Sequence, residues 1–179
     1  MKTLKITLTI LCIVLLSFSC GKDDNPSDGN PTPTSDYFMR AKVDGVQYEA
    51  VAPRVLASKS PDRITISSVL PDLRSFEIII DDYPTNPVGT YVVPSSNATT
   101  YLANLKFSDG SSATSSFEAG SCCAVDCAAG GTRGTIVITA ISATEISGTF
   151  SFTGTQTSGT CPRPKKMITE GSFKSGITQ

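Results

Sequence analysis

Histidine and tryptophan are both missing from this chain of 179 residues, aromatic side chains make up 7% of it, and charged residues only 17%. Each scarcity removes a class of activity. Without histidine no Ser-His-Asp or Cys-His arrangement can form, which takes away the commonest hydrolases, and the usual nitrogen ligand of a metal centre is lost as well. Without tryptophan, a sugar-stacking platform has to be built from tyrosine. No window shows the 3.6-residue apolar spacing of an amphipathic helix. No Gly-x-Ser-x-Gly elbow or phosphate-binding loop occurs. Lys174-Ser175-Gly176 has the outline of a Lys-Thr/Ser-Gly element, but no Ser-x-x-Lys partner lies within residues 37–179. Basic stripes are lacking too: only Arg163-Pro164-Lys165-Lys166 clusters positive charge, so nucleic acid is not an expected partner. No cofactor and no resident metal is expected, and no catalytic residue is nominated.

What the chain does have begins at its N-terminus. Lys2 and Lys5 precede an apolar run from Ile6 to Phe18, the length of a secretory h-region and too short for the ~20 residues that cross a bilayer. Ser17, Ser19 and Cys20 end it. The Leu16-Ser17-Phe18-Ser19-Cys20 run resembles a bacterial lipobox, with its leucine one place further back than usual. That resemblance implies residues 1–19 as a lipoprotein signal peptide, cleavage before Cys20, and acyl chains such as palmitate on Cys20. At ~0.8 kcal/mol per buried methylene, several chains hold a protein stably on a membrane. Ordinary signal cleavage, leaving a free Cys20 thiol, is the other reading.

Residues 20–36 hold no large apolar side chain and are dense in Pro, Gly, Ser and Asp, a composition that cannot build a core and reads as a disordered tether. At ~3.1 Å per residue it spans up to ~50 Å. Its Cys20-Gly21-Lys22-Asp23-Asp24 start resembles the export signal of Bacteroidota-type surface lipoproteins. The resemblance implies an outer-membrane anchor with the domain facing the cell exterior; a periplasm-facing anchor is the alternative. Lys2 and Lys5 leave with the leader, so thirteen basic and sixteen acidic residues remain, a net charge near −3.

Residues 37–179 form one expected domain, long enough to bury about two thirds of its unfolded surface. Strand signals fill it. Met39 to Val43 and Val46 to Ala50 alternate on either side of Asp44-Gly45, a pair suited to a type I′ hairpin turn. Further alternation runs through Arg63 to Val69, Ser75 to Tyr83, Gly89 to Val93, Thr100 to Phe107, Ser115 to Ala119, Thr135 to Ser142, Glu145 to Thr153 and Lys166 to Lys174. Ile79, opposite in phase to Phe76, Ile78 and Ile80, suggests a strand covered on both faces. Gly148 falls on the inward face of its strand and leaves room for an aromatic neighbour. Met167, Gly171 and Phe173 share one side of the last strand by strict alternation. The expected fold is all-β, an antiparallel β-sandwich or closed barrel of about eight or nine short strands.

Val43-Asp44-Gly45, the Ile146 to Phe152 run Ile-Ser-Gly-Thr-Phe-Ser-Phe, and Ile168-Thr169-Glu170-Gly171-Ser172-Phe173 together resemble a family of small Bacteroidota surface lipoproteins of unknown function. The likeness covers about residues 38–174. It implies an all-β domain and a membrane address, and carries over no catalytic residue.

Cys122, Cys123, Cys127 and Cys161 remain once the leader and Cys20 are set apart. Exported chains meet an oxidising environment, so two disulfides are expected, among three connectivities. A vicinal bridge strains its ring, which favours Cys122 or Cys123 joined to Cys161 and the other joined to Cys127. A four-thiolate zinc site is the rival, weakened because Cys161 has no cysteine near it. For acid chemistry, Asp81-Asp82 with Glu118 or Asp126 is the combination to inspect, although adjacent acids on a strand point to opposite faces. Among the tyrosines at 37, 48, 83, 91 and 101, Tyr83 beside Pro84 is the one expected to be exposed and is the nominated ligand contact. The functional expectation is a lipid-anchored, non-catalytic binding, adhesion or envelope-structural domain. Its partners are the membrane, through the lipid, and an unidentified protein or glycan. The alternatives are an accessory glycan-binding lipoprotein of an uptake system and a carboxylate-dependent hydrolase.

Overall fold

The structure, a computed structural model, describes residues 36–94, 103–112, 115–123 and 132–178. Cys20 and the leader, Cys127, Asp126 and Tyr101 lie outside the described residues. The described residues belong to one compact unit, Thr32–Gln179. Alternation becomes β-structure almost throughout, as strands β1 (Phe38–Val43), β2 (Val46–Val51), β3 (Val55–Lys59), β4 (Arg63–Val69), β5 (Ser75–Asp81), β6 (Gly89–Pro94), β7 (Ala103–Ser108), β8 (Ser116–Glu118), β9 (Thr132–Ile141), β10 (Glu145–Gln156) and β11 (Lys165–Thr178). Among the described residues eleven strands stand where about eight or nine were expected, ten of them on segments whose alternation the sequence shows. The one the pattern did not reveal is β3, which buries only Val55 and Ala57. Between β1 and β2, Asp44 (φ 50) and Gly45 (φ 85) both take left-handed backbone, the type I′ turn that Asp-Gly tolerates.

Pairing sorts the strands into two layers, β2-β1-β11-β10-β9-β6 and β3-β4-β5-β7-β8, joined into one sheet at two corners. The joints are made by the two longest strands. Along one edge β11 pairs with β1 up to Lys174, then runs on to pair Ile177 and Thr178 in parallel with Ala57 and Ser58 of β3. In the same way β10 pairs with β9 up to Phe152, and then with β8 through Thr155 and Gln156. A ring β11-β3-β4-β5-β7-β8-β10 thereby closes, and the fold is a sandwich that is also a flattened barrel.

Alternating side chains of both layers fill the interior. Phe76 of β5 meets Phe150 of β10 across the sandwich at 5.9 Å between ring centroids, Phe107 of β7 lies 5.1 Å from Phe76, and Phe173 of β11 lies 6.4 Å from Phe150. Gly148 makes room for this cluster: a Cβ there would stand 2.7 Å from the Phe173 ring and collide with the Val137 carbonyl oxygen. Two expectations need correction. Ile79 is only half-buried, between its cross-strand neighbours Thr65 and Asn104, and not enclosed as Ile78 and Ile80 are. Met167 points outward, 59% exposed, and Ile168 takes the interior instead. The cause is a β-bulge: Phe150 opposes Gly171 while Phe152 opposes Ile168, so β11 carries an extra residue there, with Glu170 at φ 53. An inserted residue reverses the facing of everything beyond it, which strict alternation cannot anticipate.

Candidate binding site

Cysteine placement comes first, because it shapes one corner. Cys123, buried just after β8, is disulfide-bonded to the exposed Cys161 ahead of β11, with Cα atoms 5.9 Å apart. This is one of the two pairings expected for Cys161. Cys122 is disulfide-bonded as well, and its partner lies outside the described residues. Cys123 and Cys161 are therefore not thiolates, which overturns the four-thiolate zinc alternative. Among the described residues no group of three His, Cys, Asp or Glu side chains could hold a metal ion.

The nominated tyrosine is half-buried, as are Tyr37, Tyr48 and Tyr91. Tyr83 lines an open depression of about 300 Å³ with Lys59, Ser60, Pro61, Ser142 and Ile177. Its hydroxyl is committed to the Ser60 carbonyl at 2.6 Å, and the Lys59 ammonium sits 5.5 Å from its ring centroid. Tyr91 similarly donates to the Pro87 carbonyl at 2.7 Å, and burial raises its pKa. Of the candidate acids among the described residues, Asp81 and Glu118 do not converge. Asp81 is ion-paired with Arg63 at 2.5 Å, and Glu118 opposes Lys106, which opposes Glu77. Since Glu77 and Asp81 are four positions apart on β5, Asp81 is displaced from the row of Glu118 by about 13 Å along the strand, beyond a glycosidase pair.

A different constellation forms where β7, β8 and β10 meet. Residue pairs Lys106 with Glu118 and Glu118 with Thr155 bring the three strands together. The Ala119 N–H donates to the Leu105 carbonyl at 2.9 Å, so the ladder runs on past β8 and carries Gly120 and Ser121 alongside Asn104. Gly154 lets β10 come close, because a Cβ there would lie 2.9 Å from the Phe117 Cβ. Arg163 ties the flanking loops, donating from Nη1 to the Thr157 carbonyl at 3.0 Å and from Nη2 to the Cys122 carbonyl at 2.5 Å. The result is a depression of about 260 Å³ lined by Val93, Ala103, Asn104, Glu118, Ser121 and Thr157.

This corner is polar in an unusual way. Four buried side-chain atoms of the described residues have no hydrogen-bond partner: Asn104 Oδ1, Ser116 Oγ, Thr155 Oγ1 and Arg163 Nε. All four belong to β7, β8, the end of β10 or the arginine that braces them. Each such atom costs about 1–3 kcal/mol relative to a satisfied one, and burial without a partner calls for an explanation. Glu118 had been visible in the sequence as a candidate acid; Asn104 had not, since an asparagine on the polar phase of a strand looks like ordinary surface. The available signal was a weak strand, Ser115 to Ala119, wedged between better ones beside the cysteines.

A family model described as a domain of unknown function matches residues 36–176. No curated protein and no solved structure matches the chain.

Proposed function

The chain belongs to the DUF6252 family, and on that premise we propose that it is a lipid-anchored lipoprotein of the outer membrane whose β-domain faces the cell exterior and works there as a non-catalytic binding or envelope-structural module. The observation that carries this reading is the sequence of parts: an h-region ending at Cys20, a Pro- and Asp-rich stretch to Asp36, and a first strand beginning at Phe38. Acyl chains on Cys20 are the anchor, and the stretch behind it is the tether. The test is the mass of the processed N-terminal peptide, which should begin at Cys20 and carry acyl chains. Cys20→Ser should lose membrane retention. An unacylated N-terminus, or a Cys20→Ser protein that stays on the membrane, would refute the anchor.

A second reading, an accessory glycan-binding lipoprotein of an uptake system, is favoured by the partnerless polar groups around the depression at β7, β8 and β10. Asp81 and Glu118 stand in separate rows, so a carboxylate-dependent hydrolase would have to draw on a different pair of acids.

A further inference from the structure

We propose that the corner formed by β7, β8 and β10 is the domain's ligand site and that it takes a neutral, hydroxyl-rich molecule about one sugar ring in size. The proposal rests on the binding-domain reading above and names its site. Its ground is the coincidence of an open depression with partnerless polar atoms. Asn104 both lines the depression and keeps a buried carbonyl oxygen without a donor, while two hydroxyls and an N–H, of Ser116, Thr155 and Arg163, are partnerless behind its wall, on the strand that carries Glu118, the strand paired with it and the loop that follows β10. Everywhere else among the described residues, buried side-chain polar atoms have partners.

Charge selects the class of ligand. Among the described residues Glu118 is the only carboxylate on the wall, and Lys106 faces it across the strand pair while Arg163 braces the neighbouring loop. A divalent cation would meet one carboxylate set among two cations, short of the oxygen-rich shell it needs. An anion would meet Glu118 directly. A molecule that both donates and accepts hydrogen bonds matches the inventory: the Glu118 carboxylate accepts, and the Asn104 side-chain amide and the hydroxyls of Ser121 and Thr157 do both. The buried Val93 and Ala103 supply an apolar wall for the carbon face of a ring. At about 260 Å³ the depression falls below the ~300–1,000 Å³ of pockets for larger ligands. One ring fits better than a chain.

Saturation-transfer NMR on the purified full chain, with methyl glycosides of glucose, galactose, mannose and N-acetylglucosamine as probes, tests this. At least one probe should show saturable transfer. Asn104→Leu and the shape-preserving Glu118→Gln should each weaken it by about tenfold or more, and Tyr83→Phe should leave it unchanged. Asn104→Leu should also raise the melting temperature, because it removes a partnerless polar atom; a purely structural asparagine would lower it. No saturable transfer from any of the four probes would leave these groups as hydration sites only and overturn the proposal. Transfer lost in Tyr83→Phe and kept in Asn104→Leu would overturn it as well, by moving the site to the other depression. Cys20→Ser should bind the probes as the parent chain does, so failure of the anchor and failure of this site are read separately.

Discussion

The centre of the sandwich and its β7–β8–β10 corner belong to one continuous sheet, yet they obey opposite rules. At the centre, Met39, Ile66, Phe76, Ile78 and Phe173 are at most 1% exposed, and even the buried Ser68 hydroxyl has a partner, the Met39 sulfur at 3.2 Å. At the corner, four buried polar atoms have none, and the flanking loops are braced by Arg163 and the Cys123–Cys161 bridge. One region is arranged for folding alone. The other carries an uncompensated cost, and natural chains concentrate such violations where something binds. The contrast can be broken or sharpened by perturbing each side.

The largest effect belongs to the centre. Phe150→Ala, which empties the contact with Phe76 and Phe173, should cost about 3–5 kcal/mol in urea denaturation; a cost near that of a surface change would mean the layers do not meet as described. Next comes the bridge. Replacing Cys123 and Cys161 together by alanine frees a link spanning a sequence separation of 38, and should cost about 3–4 kcal/mol by loop-closure entropy. Hydrogen exchange should then rise first at Ser116 to Ser121 and leave β4 and β5 protected; uniform loss would put the bridge in the core's service. A smaller change, of opposite sign, is expected at Asn104. Asn104→Leu should stabilise by about 1 kcal/mol, and destabilisation would dissolve the contrast.

The smallest effect lies in the hairpin tie, away from both regions. Asp44 accepts from the Lys166 ammonium at 2.8 Å and from the Met167 N–H at 2.9 Å, and these bonds, the Lys166 one first, hold its carboxyl below the ordinary value. A group lowered on folding contributes stability that is present above its unfolded value and is lost as pH falls through the folded one. Acid below pH ~4 should therefore loosen the tie, and Asp44→Asn should flatten that part of the acid limb. Asp44 and Lys166 are 45% and 34% exposed, so the change should stay below about 1 kcal/mol. An unchanged acid limb in Asp44→Asn would remove the tie from the account.

Much of the fold was legible because its strands are regular. Asp44-Gly45 announced a hairpin by backbone chemistry, and Gly148 announced an aromatic neighbour by its place in the alternation. Met167 was misassigned because the bulge at Glu170 is a property of pairing with β1 and β10 and leaves no trace in the spacing of apolar residues. β3 escaped because a short strand with two buried residues looks like a loop. The corner was less legible still. Asn104, Ser116 and Thr155 are ordinary strand residues until β7, β8 and β10 are brought together, and only the pairing of distant segments leaves their polar atoms without partners. The cysteines gave the clearest local hint, since a bridge to Cys161 had to draw the loop after β8 toward the one before β11.

A binding corner has a use only where ligand reaches it, so the central claim is the address. Protease treatment of intact cells, with and without permeabilisation of the outer membrane, tests it most directly. The account predicts that the domain is digested on intact cells expressing the parent chain and that Cys20→Ser no longer presents it there. Survival on intact cells, with digestion only after the outer membrane is opened, would contradict it.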